Sequence, residues 1–215
     1  MHFDVVINAL PFLLKGFGLT LLVSVMGTLV GTFIGILICA LRWTGIAALS
    51  RLAALYISYF RGVPLLVQLL VFYNFLPYAG IDLSPIAAAI CALGMVGGAY
   101  MAELLRGALA AIPRGQVEAG VALGFSPVSI GRRVLLPQML RLATPAMTNE
   151  LILLVKASSL VSVVGLAEVT RVSQTFAAST LRPMEFYLAA GAFYLVTNLF
   201  LAYCGSRLER KLACR

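Results

Sequence analysis

The chain has 215 residues, of which 61% are hydrophobic and 11% charged, with a mean hydropathy of +1.00. A soluble domain carries about 25% charged residues, and one of this size cannot enclose so much apolar side chain in a single core. Soluble globular, disordered, fibrous, coiled-coil and disulfide-scaffold classes are excluded, which leaves an integral membrane protein. Sixteen Lys and Arg against eight Asp and Glu give a net charge of +8. On a soluble protein that surplus would point to nucleic acid. On a membrane protein it marks the loops that stay in the cytoplasm, so membrane lipid and not nucleic acid is the expected surrounding.

A transmembrane helix needs about 20 apolar residues, because roughly 30 Å of hydrocarbon is crossed at about 1.5 Å per residue. The apolar stretches predict an all-α polytopic fold, one transmembrane domain over residues 1–215 with five spans. These lie at about 16–42, 53–77, 84–106, 146–167 and 186–206. Residues 3–14 read as a short interfacial helix. With Asp4 where basic residues should stand, and an apolar run too long for a signal core, no cleavage is expected there. In the first span Gly27, Gly31 and Gly35 recur every four residues, and in the third Gly94 and Gly98 do so. Such stripes let helix backbones approach closely in lipid.

Five spans put the termini on opposite faces. With the N-terminus outside, twelve basic residues face the cytoplasm: Arg42, Arg51, Arg61, Arg106, Arg114, Arg132, Arg133, Arg141, Arg207, Arg210, Lys211 and Arg215. Only Lys15, Arg171 and Arg182 face outward. The predicted orientation is therefore N-out, C-in, with Arg61 an anchor at the cytoplasmic interface.

The long cytoplasmic loop, 107–145, opens on the turn Ile112-Pro113-Arg114-Gly115. An amphipathic helix follows from Gln116 and ends near Gly124. Ser126-Pro127 then supplies an N-cap and a first helical position, and a second short helix, 128–136, is expected to end at Pro137. The fourth span carries Glu150 and Lys156. A charge at mid-span costs a few kcal/mol, so both are candidates for function.

Nothing in the chain suggests a catalytic or metal site. Cys39, Cys91 and Cys204 sit in apolar runs, Cys214 is terminal, and no pair has C-x-x-C spacing. His2 is the sole histidine, so neither a His-based metal site nor a Ser/His/Asp set can form. The phosphate-binding pattern G-x-x-x-x-G-K-[ST] is absent, because none of Lys15, Lys156 and Lys211 follows a glycine.

Several segments are nevertheless specific. Glu118-Ala119-Gly120, then Gly124, Ile130 and Leu136-Pro137, follow an E-A-A…G…I…L-P pattern. This resembles the coupling loop in membrane subunits of ATP-binding-cassette (ABC) importers. Phe60-Arg61-Gly62-Val63-Pro64-Leu65-Leu66-Val67-Gln68 is similar to the R-G-x-P-L-x-x-Q segment of the polar-amino-acid subgroup. Ala99-Tyr100-Met101-Ala102-Glu103-Leu104-Leu105-Arg106-Gly107-Ala108 resembles its A-Y-x-A-E-x-x-R-G-A segment, and Ile112-Pro113-Arg114-Gly115-Gln116 continues it. Lys156-Ala157-Ser158-Ser159-Leu160-Val161-Ser162-Val163 resembles its K-x-[ST]-S-L-x-S-V segment, and Leu208-Glu209-Arg210 also fits. The resemblance runs in order along essentially the whole chain. One departure is Gly120, where the pattern prefers Ala; glycine inside a helix costs roughly 1 kcal/mol.

The resemblance implies a permease subunit that pairs with a second permease subunit, either the same chain or a related one. It implies an ABC ATPase subunit in two copies, which uses ATP and Mg, and an extracytoplasmic protein that delivers the amino acid. This chain itself is expected to bind no cofactor. Glu118, Ala119, Gly120 and Gly124 would carry the ATPase contact. Along the path, the in-span polar groups are Gln68, Glu103, Asn149, Glu150, Lys156, Ser158 and Ser159. Asn149 and Glu150 are favoured as substrate-facing, and Glu150 would favour a basic amino acid. The alternatives for Glu103 and Lys156 are ion pairs, Glu103 with Arg106 at i,i+3 and Lys156 with a buried acid. A stand-alone carrier driven by an ion gradient is the competing function; an intramembrane enzyme would need catalytic groups that the sequence lacks.

Overall fold

The computed structural model describes residues 4–213. Expectations attached to His2, Phe3, Cys214 and Arg215 lie outside the described residues. Within them the chain is helical throughout: α1 Asp4–Trp43, α2 Ala47–Gly62, α3 Leu65–Asn74, α4 Pro85–Ala110, α5 Arg114–Ala122, α6 Pro127–Ile130, α7 Leu136–Ala157, α8 Val169–Thr180 and α9 Pro183–Ala213. Four rods are long and apolar enough to cross a membrane: Asp4–Trp43, Pro85–Ala110, Pro127–Val164 and Pro183–Leu212. A fifth crossing exists if α2 and α3, which meet at 102°, count as one broken span.

α4 is the centre of the bundle. In its most apolar window 61% of residues are buried, against 28% in α1 and 17% in α9. Its small side chains explain this. Ala88, Ala89, Ala92, Gly94, Gly97, Gly98, Ala99 and Ala102 are all buried, and they let α1, α7 and the broken pair close around it. The α1 glycine stripe meets the α4 stripe directly. A Cβ at Gly31 would stand 3.1 Å from the Gly98 nitrogen, and one at Gly94 would stand 2.6 Å from Val30 Cγ1. In lipid no hydrophobic force drives helices together, so such backbone proximity supplies the packing. The hydroxyls of Thr20, Ser24 and Thr28 bond to carbonyls one turn back in α1, so they cross the membrane satisfied.

Three features depart from the predicted spans. Residues 4–14 do not form a separate interfacial helix but the first turns of α1. Ala9, with Val5 and Val6, packs there against Ala177 and the fully buried Phe186, so this end of α1 is covered by α8 and α9. The expected single span 53–77 is broken. Pro64 lacks an amide and forces Val63 into extended backbone (φ −100°, ψ 134°). The buried Gln68 side chain heals the break: its Nε2 donates to the Phe60 carbonyl at 3.1 Å and the Val63 carbonyl at 2.8 Å. Finally, the helix at 128–136 does not stop at Pro137. It passes through one wider turn, Gly131–Leu135, into α7, and that turn makes room for a proline ring that would collide with the Arg133 carbonyl in a regular helix. The expected span at 146–167 therefore sits on a rod that starts earlier, and it narrows to tighter turns over Ser158–Val164.

Candidate functional site

The loop between α4 and α7 is built by local rules. α5 ends in a two-bond cap: the Gly124 amide donates to the Val121 carbonyl at 2.9 Å and the Phe125 amide to the Gly120 carbonyl at 3.0 Å. This geometry places Gly124 at φ +75°, the left-handed conformation that glycine adopts without strain. The Ser126 hydroxyl then accepts the Ser129 amide at 3.3 Å and starts α6. Gly120 is buried against Ile130; a Cβ there would lie 2.9 Å from Ile130 Cγ1. The departure from the expected Ala thus lets α5 and α6 press together. Ile112 and Ile130 join Cys39, Met101, Leu105, Leu135, Met139 and Ala143 in one cluster, which ties the loop to three spans.

The outer side of the loop is open. Glu118 and Ala119 are exposed, and so are Val121 (62%), Leu123 (73%) and Val128 (79%). These side chains form an exposed apolar crown on a loop that has its own anchor, the kind of patch that marks interaction sites.

The polar groups predicted within the spans divide into three sets. Glu103 is held by cations: Arg42 Nη1 lies 3.1 Å from its Oε2, and Arg106 binds its Oε1. The i,i+3 pair with Arg106 is present, with α1 added through Arg42. The second set turns back on the backbone. Ser158 and Ser159 donate to the Val155 and Lys156 carbonyls at 2.7 and 2.8 Å. The Gln68 amide nitrogen is spent on the helix break, while its buried Oε1 has no partner among the described residues.

The third set stays available. Asn149, Leu153 and Lys156 fall on one stripe of α7 and are exposed, with Leu153 at 56%. Lys156 has no ion pair among the described residues. Glu150, beside this stripe, is 7% exposed.

The Arg61 guanidinium lies over the Tyr100 ring, 5.1 Å from the centroid, a contact that ties the end of α2 to α4.

A further cluster escaped the sequence reading. Glu168 is fully buried at the start of α8. It accepts the Thr170 and Arg171 amides at 2.8 and 2.7 Å and the Tyr194 hydroxyl at 3.0 Å. Thr20 of α1 accepts the neighbouring Val169 amide at 3.2 Å. This carboxylate fastens α8 to α1 and α9, and all of its donors come from the chain itself.

Residues 37–213 match the family of binding-protein-dependent transport system inner membrane components. The arginine transport system permease protein ArtQ of Bacillus subtilis (strain 168) is 36% identical over 213 residues, spanning 99% of this chain and 97% of ArtQ. The glutamine transport system permease protein GlnP of Escherichia coli (strain K12) is 38% identical over 216 residues, spanning 99% of both chains. Among solved structures, the crystal structure of an amino acid ABC transporter with histidines superposes with a TM-score of 0.93 at 33% identity, covering 98% of this chain and 99% of that one. The MetNI methionine ABC transporter, at 23% identity and a TM-score of 0.73, shares the fold.

The chain belongs to this family of inner membrane permease subunits of ABC importers. It is not an enzyme; ATP hydrolysis belongs to a separate subunit.

Proposed function

We propose that this chain is the membrane half of an importer for polar amino acids, moving substrate inward by alternating access while a partner ATPase pair hydrolyses ATP with Mg. The observation that carries this reading is the stripe of Asn149 and Lys156 on α7, beside Glu150, which the chain leaves uncovered. Polar and charged groups on a span do not face hydrocarbon. A second permease subunit, the same chain or a related one, would cover this stripe and leave a path between the two. The loop residues Glu118, Ala119, Gly120 and Gly124 would meet the ATPase cleft, with the C-terminus on the same, cytoplasmic side. An extracytoplasmic amino-acid-binding protein would deliver substrate to the opposite side.

Glu150 gives the path a negative group, which favours a basic amino acid. ArtQ is a permease of an arginine system and GlnP of a glutamine system, so the two amino acids make the natural comparison. In proteoliposomes holding the full complex, arginine uptake should exceed glutamine uptake. Glu150→Gln should remove that preference. A preference that survives Glu150→Gln, or one for glutamine in the unaltered protein, would refute the basic-amino-acid reading.

A further inference from the structure

α1 and α8 touch and then part. At Gly16 a built Cβ would lie 3.1 Å from the Glu168 carbonyl carbon and the Val169 nitrogen, so the two backbones meet there. Gly18, two residues on, has nothing within 4 Å of a built Cβ. The gap is a groove of about 640 Å³. Leu19, Leu22, Phe12 and Phe176 are among its apolar walls, and Lys15 from α1 and Arg171 from α8 both line it. The two cations are exposed, and neither has an ion pair among the described residues. Among those residues no acid lines the groove. Glu168 is close in sequence but fully buried, and its oxygens are spent on the Thr170 and Arg171 amides and the Tyr194 hydroxyl.

We propose that this groove binds an anionic phospholipid, with Lys15 and Arg171 on its phosphate and an acyl chain along Leu19 and Leu22. Two like charges facing one gap repel each other, and a phosphodiester between them removes that repulsion. The Arg171 fork can meet two of its oxygens at once. A free phosphate would have no use for the apolar walls, and an acyl chain alone none for the cations; a phospholipid satisfies both. A headgroup with its own ammonium would compete with Lys15 and Arg171, so a net-negative lipid such as phosphatidylglycerol is favoured. The depth also fits. Cys39, toward the other end of α1, packs in the cluster that anchors the loop between α4 and α7. Lys15 is roughly 36 Å away along the same helix at about 1.5 Å per residue, close to the roughly 30 Å of hydrocarbon, and the charge-free run of α1 starts at Gly16. The cations therefore stand at the membrane boundary opposite that loop, where lipid phosphates lie.

The test uses the permease purified with its ATPase subunit in detergent. It is offered equal amounts of dioleoylphosphatidylglycerol and dioleoylphosphatidylcholine, and native mass spectrometry reads which lipid is retained. The unaltered complex should prefer phosphatidylglycerol. Lys15→Gln combined with Arg171→Gln should weaken its retention about thirty-fold, two cations at about 1 kcal/mol each, and leave phosphatidylcholine unchanged. Gly18→Leu fills the gap from a position where a built Cβ meets no atom. It should weaken phosphatidylglycerol retention with both cations in place, which keeps the idea testable if the double variant fails to assemble. Arg210→Gln combined with Lys211→Gln removes the same charge from the far end of the chain and should retain the lipid as the unaltered complex does. An equal loss there shows that net charge alone is read, and overturns the site. Excess glycerol 1-phosphate should not displace the lipid; displacement makes a soluble phosphate the occupant and overturns the lipid. No preference in the unaltered complex, or full retention in the Lys15 and Arg171 double variant, also overturns it. Full retention accompanied by loss of permease pairing or of binding-protein affinity assigns the groove to a protein instead.

Discussion

At Gly31 the α1 and α4 backbones are close enough that one added methyl group has no free space. A Cβ there would lie 3.1 Å from the Gly98 nitrogen, 3.2 Å from the Gly94 oxygen and 3.2 Å from the Gly97 carbonyl carbon. All three are backbone atoms of α4, so none can rotate aside, and the helices must separate. Gly18, on the same helix, has nothing within 4 Å of a built Cβ. Replacing either glycine with Ala gains about 1 kcal/mol of helix propensity. Only the Gly31 substitution overpacks an interface, at a cost of about 1–3 kcal/mol. The propensity gain cancels in the comparison, so Gly31→Ala should be less stable than Gly18→Ala by about 1–3 kcal/mol. Thermal unfolding of the purified chain in detergent reads this difference. Equal stability of the two variants, or a more stable Gly31→Ala, would refute the close approach of α1 and α4.

Two further outcomes follow from the loop and the ion pairs. Gly124→Val puts a β-branched residue at φ +75°, which costs more than about 1–2 kcal/mol, and should weaken association with the ATPase, whereas Gly124→Asn tolerates that conformation and should retain it. Pull-down of the ATPase subunit compares them, and equal retention of the ATPase by both variants would show that the cap at Gly124 does not shape the docking surface. Glu103→Gln removes both ion pairs of a partly exposed carboxylate, so it should lower stability by about 1 kcal/mol or less and leave substrate affinity unchanged in calorimetry. A loss of affinity in an assembled complex would return Glu103 to the substrate path.

What the sequence made legible was what is decided within a few residues. The glycine stripes of α1 and α4, the turn at Gly124 and the Ser126-Pro127 helix start all depend on local spacing. The break at Pro64 was harder to see, because Gly62 and Pro64 lie in an apolar run and a hydropathy window averages over them. What that missed was the 102° bend between α2 and α3. Pro137 misled in the opposite direction: a single wide turn absorbed it, and the rod continued. The Glu168 cluster was out of reach, since Thr20 and Glu168 are 148 positions apart and only the packing of α1 against α8 brings them together. For Glu103, the i,i+3 spacing disclosed Arg106, but Arg42 is 61 positions away.

The central claim is that transport through this chain is driven by a separate ATPase. It is tested most directly by amino-acid uptake into proteoliposomes that contain this chain, its partner permease subunit, the ATPase subunit and the binding protein. Uptake should require both ATP and the ATPase subunit, and should stop when either is withheld. Uptake that continues without the ATPase, and follows an imposed ion gradient instead, would contradict the account.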